Sequence, residues 1–198
     1  MKRKIIGISM VLAITIAFIS CKQLQELQSL AKCDFKLNTV DNIQMAGVNV
    51  QQIQNLSQIG FMDVAKLTTA YVSKSLPLSF NLNVDARNPN PTKAVLSALD
   101  WILEIDNMEM TRGILNKRFE INPNGGVTTV PMVMNFDLFK VLTGKTKDSM
   151  LNFGLNLAGI GSNAPTRITL KARPTVMVGT IPVQYPGYLS IKNTFVSK

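Results

Sequence analysis

From Pro77 onward the chain alternates apolar and polar residues with a period of two, and this limits its fold more than any other feature. Leu78, Phe80, Leu82 and Val84 point one way, and Ser79, Asn81, Asn83 and Asp85 the other. Successive side chains of a strand leave opposite faces, so this is a strand with one dry and one wet face. The pattern returns at Leu99, Trp101, Leu103 and Ile105, then at Leu115, Lys117, Phe119 and Ile121. It returns again at Val130, Met132, Met134, Phe136 and Leu138. Shorter runs follow at Ile168, Leu170 and Ala172, at Val176 and Val178, and at Ile181 and Val183.

Turn chemistry separates these runs. Arg87-Asn88-Pro89-Asn90-Pro91 is a loop: proline fixes φ, and asparagine side chains bond their own backbone. Asn122 to Gly126 is a second strong turn, and Tyr185-Pro186-Gly187 a final one. Met108 to Gly113 is expected to turn. Phe35 to Val50 reads as extended, broken by a turn signal at Asp41-Asn42. One stretch changes period: Leu56, Ile59, Val64, Leu67 and Tyr71 share a helical face. It predicts a helix over Asp63 to Ser73, with an extension back to Asn55, that ends before Pro77. A second short helix is allowed near Asp148 to Leu157. With no strand–helix–strand alternation, the expected fold class is all-β, an antiparallel immunoglobulin- or fibronectin-III-like β-sandwich with one packed helix.

The N-terminus carries a targeting signal. Lys2, Arg3 and Lys4 precede a charge-free run from Ile5 to Ser20, the form of a secretory signal and too short to span a bilayer as a helix. Ala17-Phe18-Ile19-Ser20-Cys21 resembles a lipobox, with Phe18 where Leu is most common. Cys21 is therefore the expected lipidation site, and a lipid (diacylglyceryl, with or without a further palmitate-like acyl chain) the expected anchor. The expected organisation is a signal peptide over 1–20, a lipidated polar tether over 21–34 and a domain over 35–198. Neither an Asp nor an acidic run follows Cys21, which favours the periplasmic face of the outer membrane. With Cys21 acylated, Cys33 has no partner within the chain and reads as a small buried residue.

Composition narrows the chemistry. The chain has 21 basic and 12 acidic residues and no histidine. Missing histidine removes the Ser-His-Asp and Cys-His arrangements and histidine-ligated zinc. The basic residues are scattered without aromatic interleaving, so no nucleic-acid partner is expected. Ala158-Gly159-Ile160-Gly161 lacks the third glycine of a dinucleotide site. Ser29-Leu30-Ala31-Lys32 spells S-x-x-K without its companion motifs. Glu104, Asp106 and Glu109 read as a solvated strand face and not as a hydrolytic pair. Met132 and Met134 share register with Val130 and Phe136, which is core spacing. No catalytic residue, cofactor or metal is expected.

The order of the pieces carries a family likeness. LPLSFNLNV runs into Asn88-Pro89-Asn90; a strand with Trp101, a Gly113 turn, Pro123-Asn124-Gly125-Gly126 and VPMVMNFDL follow. This resembles the late-embryogenesis-abundant (LEA) type 2 family, also called the water-stress and hypersensitive-response (WHy) domain, over roughly Phe35 to Lys192. The resemblance implies a fibronectin-III-like fold with one helix packed on it, association with dehydration or general stress tolerance, and no catalytic residues. The resulting expectation is a non-enzymatic, membrane-anchored protein of envelope maintenance or stress protection, contacting envelope proteins or membrane. The alternative is a carrier or chaperone for a lipid-like ligand, held in an apolar cavity around Val64, Leu67 and Tyr71. Asn88, Pro89 and Asn90 are expected to be turn architecture, with a binding loop as the alternative. Oligomeric state is left open.

Overall fold

The computed structural model describes residues 25–26, 28–51, 53, 59–144, 146–157 and 166–195. The signal run, Cys21 and the Ala158–Gly161 stretch lie outside these residues.

Eleven strands and three helices are described: β1 (Asp34–Met45), β2 (Val48–Asn49), α1 (Phe61–Val72), β3 (Pro77–Asn88), β4 (Ala94–Leu96), β5 (Ala98–Ile105), β6 (Met108–Leu115), β7 (Phe119–Ile121), β8 (Gly126–Asp137), α2 (Leu138–Val141), α3 (Lys147–Leu157), β9 (Thr166–Val178), β10 (Ile181–Gln184) and β11 (Leu189–Phe195). The fold is all-β, as the alternation requires. One sheet runs β2-β1-β3-β8; the other runs β10-β9-β5-β6, with β11 also on β9. A small sheet joins β4 to β7. Every pairing is antiparallel.

The core lies between the two large sheets. The first turns inward Leu37, Leu78, Phe80, Leu82, Val84, Val130, Met132 and Met134; the second answers with Leu99, Leu103, Ile105, Ile168, Leu170 and Ala172. Phe80 and Phe136 meet edge-on, with ring centroids 6.1 Å apart. Each fully buried large side chain of this set contributes about 1.5–3 kcal/mol of transfer free energy. Met132 and Met134 are core, while Met108 lies at the surface.

Several local expectations are corrected. Asp41-Asn42 does not end a strand. It is a bulge inside β1, where the register slips between Asp41 and Gln44 and Asn42 takes φ 52°. The chain reverses later, at Ala46-Gly47, both left-handed. Met108 to Gly113 is strand β6, not a turn. The turn is the tighter pair Asp106-Asn107, with φ 49° and 65°, the two-residue geometry that joins twisted strands. The runs at Ile168 and Val176 form one strand, β9, and a further strand, β11, follows the Tyr185–Gly187 turn.

The helices also differ. Helix α1 begins two residues before Asp63, buries only Leu67, and leaves Phe61, Met62 and Val72 largely exposed. Helix α3 is the one seated on the sandwich: Met150, Leu155 and Leu157 are buried. Its backbone at Gly154 approaches so closely that a Cβ there would stand 2.7 Å from Met45 Sδ. Asp137 caps α2 by accepting from Phe139 N (2.9 Å), and it also accepts from Leu76 N (3.0 Å) and Ser75 Oγ (2.8 Å).

The boundary of the folded domain moves as well. Residues 28–31 are helical, and Ser29, Leu30 and Cys33 are buried. The expected tether therefore loses its second half to the fold. Leu30 and Cys33 are apolar side chains that the core takes in.

Candidate functional site

Asn88 closes β3 and is fully buried. Its amide donates to the carbonyls of Thr92 (2.9 Å) and Ile121 (3.1 Å). Its side-chain oxygen accepts from Asn90 N (3.1 Å) and Asn90 Nδ2 (2.8 Å). Two donors and two acceptor positions are all that an asparagine side chain has, so Asn88 is saturated. Pro89 between the two asparagines has a fixed φ and no N–H, which suits the tight Asn88–Asn90 turn.

The loop also gathers distant chain. Asn90 Nδ2 donates to Ser29 O (3.0 Å), and the hydroxyls of Ser29 and Thr92 lie 2.5 Å apart. Asn124 N and Gly125 N donate to the carbonyls of Asn90 (2.8 Å) and Asn88 (2.7 Å). Asn124 (φ 58°) and Gly125 (φ 86°) reach them through left-handed backbone, which glycine and asparagine tolerate best. Asn88, Pro89 and Asn90 thus form a knot joining the N-terminal helical turn, the end of β3, the start of β4 and the β7–β8 turn. Ser29, Thr92 and Asn124 are the members that sequence reasoning missed. Ser29 stood out only as a polar tether residue and as part of S-x-x-K, neither of which is related to its role.

Cys33 lies beneath this knot, its thiol donating to Ser29 O at 3.3 Å. Burial, with Asp34 adding a like charge, pushes the Cys33 thiol up to about 11. It is protonated and inert at neutral pH.

Among the described residues, Val64, Leu67 and Tyr71 have different surroundings. Val64 is 48% exposed, Leu67 is buried, and the Tyr71 ring packs on Phe139 at 5.1 Å. Beside α1 lies an open groove of about 530 Å³, lined by Met62, Ala65, Lys66, Thr69 and Ala70 with Pro77 opposite. An apolar space does lie between the two sheets, bounded by Phe35, Val84, Leu99, Val130, Leu170 and Ile191, but it amounts to about 20 Å³. That is room for about one water, against the several hundred Å³ of a ligand pocket.

The three carboxylates each have their own cation. Glu104 and Glu109 are cross-strand neighbours, held by Lys171 (2.5 Å) and Arg112 (2.6 Å), and Asp106 meets Arg167 at 3.3 Å. Among the described residues, no group of three or more His, Cys, Asp or Glu side chains could hold a metal ion. No described helix is long and apolar enough to cross a membrane.

No family model matches the sequence, and no curated protein matches it significantly. Two solved structures are similar in outline. A protein from Archaeoglobus fulgidus aligns over 82% of this chain and 98% of its own, at 13% identity and a TM-score of 0.37. The solution structure of a protein provisionally assigned as late embryogenesis abundant aligns over 98% of this chain and 83% of its own, at 13% identity and a TM-score of 0.32. Both likenesses are too loose to bear on function.

Proposed function

We propose that this chain is a lipid-anchored, non-enzymatic lipoprotein of the bacterial envelope, held at the periplasmic face of the outer membrane. Its LEA type 2-like sandwich serves envelope maintenance or stress protection through contacts with proteins or membrane. The observation that carries the reading is the basic head and charge-free run ending at Cys21, followed within a few residues by chain that belongs to the fold. Two features support a contact role over catalysis. The Asn88–Asn90 loop, the most specific piece of the family likeness, spends its polar groups on internal bonds. Glu104, Asp106 and Glu109 are each matched by a cation of their own and are not gathered in a cleft. Ligand carriage gains no support from a 20 Å³ interior space, and the groove of about 530 Å³ beside α1 lies open on the surface.

The test is the intact mass of the protein purified from membranes of its host. A mass equal to residues 21–198 plus diacylglyceryl, with or without a further acyl chain, supports the reading. An unlipidated mass overturns it. A deletion strain that survives osmotic and drying stress as well as its parent would remove the stress role.

A further inference from the structure

We propose that the end of the sandwich carrying the Asn88–Asn90 knot faces the membrane and rests on phospholipid headgroups. The inference rests on Cys21 bearing the lipid, and its separate ground is where the chain joins the fold. At Ser29 the main chain is already fixed: its carbonyl accepts from Asn90 Nδ2 and its hydroxyl meets that of Thr92. The eight residue steps from Cys21 to Ser29 reach about 28 Å at full extension. Gln25, Glu26 and Gln28 are helical, and each helical residue advances the chain by only about 1.5 Å. The twelve-residue strands β1, β3 and β8 are about 40 Å long. A lipid at Cys21 is thus tied to one end of the sandwich by a link shorter than the sandwich itself. The opposite end carries α1, which precedes Pro77, and α3, which packs on Met45 and Leu78.

Charge on the near end suits an anionic surface. Lys32, Lys36, Arg87, Lys93, Lys117 and Arg118 are all exposed there. Asp34 pairs across strands with Arg87 and Lys36 with Asp85, while Glu120 bridges Lys93 and Arg118. Glu26, Asp34, Asp85 and Glu120 are the acids among them, so the end keeps a positive excess. Basic groups close to a lipid anchor gain from anionic headgroups within a Debye length.

The test uses the full-length lipidated protein reconstituted into phosphatidylethanolamine–phosphatidylglycerol vesicles carrying a headgroup energy-transfer acceptor. A donor dye is placed at Lys117→Cys on the near end or at Val72→Cys, at the end of α1, on the far end. Both side chains are exposed, and the buried Cys33 is protected from labelling. The expected result is several-fold greater transfer from position 117 than from 72, with the gap narrowing at high salt and in phosphatidylcholine vesicles. Equal transfer, or more from 72, would overturn the orientation while leaving the anchor intact. A gap indifferent to salt and lipid charge would overturn the headgroup contact. Failure to partition into vesicles at all would overturn the anchor reading and this one with it.

Discussion

Asn90 donates its side-chain amide to the main-chain carbonyl of Ser29 across 61 positions of sequence. That bond makes the N-terminal helical turn part of the domain, and it lies beside the saturated amide of Asn88. Residues drawn from four separate elements therefore depend on two asparagines.

Removing the Asn88 side chain should be expensive. Asn88→Ala leaves the carbonyls of Thr92 and Ile121 without their donor in a buried site, and a loss of about 2–4 kcal/mol is expected. Asn88→Asp should cost at least as much, because it sets a carboxylate against two carbonyls. Urea denaturation checks both. If Asn88 were a ligand contact and not structural, its loss would leave the midpoint unchanged.

Asn90→Ala should act more locally. Losing the bond to Ser29 is expected to cost about 1 kcal/mol and to free the N-terminal turn. Limited proteolysis should then cut within residues 22–33 several-fold faster, while the rest of the sandwich resists as before.

Gly113 lies under the Trp101 ring. A Cβ at this position would stand 2.6 Å from Trp101 Cζ2, too close for the indole to stay where it is. Gly113→Ala is expected to destabilise by about 1–3 kcal/mol through overpacking. Because Trp101 is the only tryptophan, its emission reports the displacement directly.

The Cys33 thiol, raised from 9.0 to about 11, should react slowly with iodoacetamide at pH 8 and rapidly once urea unfolds the chain. The unfolded state loses this proton first as pH rises. The contribution of Cys33 to stability is thus complete below pH 9.0 and is lost as pH approaches about 11. Cys33→Ala should remove that part of the alkaline decline.

Asp137 should act at the other end of the pH scale. Burial raises its carboxyl, but the hydrogen bonds from Ser75, Leu76 and Phe139, with Lys140 nearby, outweigh this and hold it below the ordinary value of 3.8. A lowered folded value means the stabilisation is present above the unfolded value and disappears as pH falls below it. Asp137→Ala should cost about 1–2 kcal/mol at neutral pH and flatten the acid limb of a stability–pH curve.

Which residues face the core was legible in the sequence, because the period of a strand is local covalent geometry. Leu78, Phe80, Leu82, Val84, Met132 and Met134 needed no knowledge of their partners. The Asn122–Gly126 turn was legible for the same reason, since asparagine and glycine are the residues that accept left-handed backbone. The tertiary structure decided what depends on distant chain. Asp41-Asn42 has a turn composition, yet it is a bulge because β3 continues to pair beyond it. Ser29 and Leu30 look like tether until Asn90, Thr92 and the core bind them. Helix α1 has the periodicity of a packed helix, but α3 takes the seat on the sheet, where Gly154 leaves room for the Met45 side chain. Side-chain direction follows from neighbours one or two positions away; hydrogen-bond partners and close contacts are chosen across tens of positions, and only the folded chain brings those together.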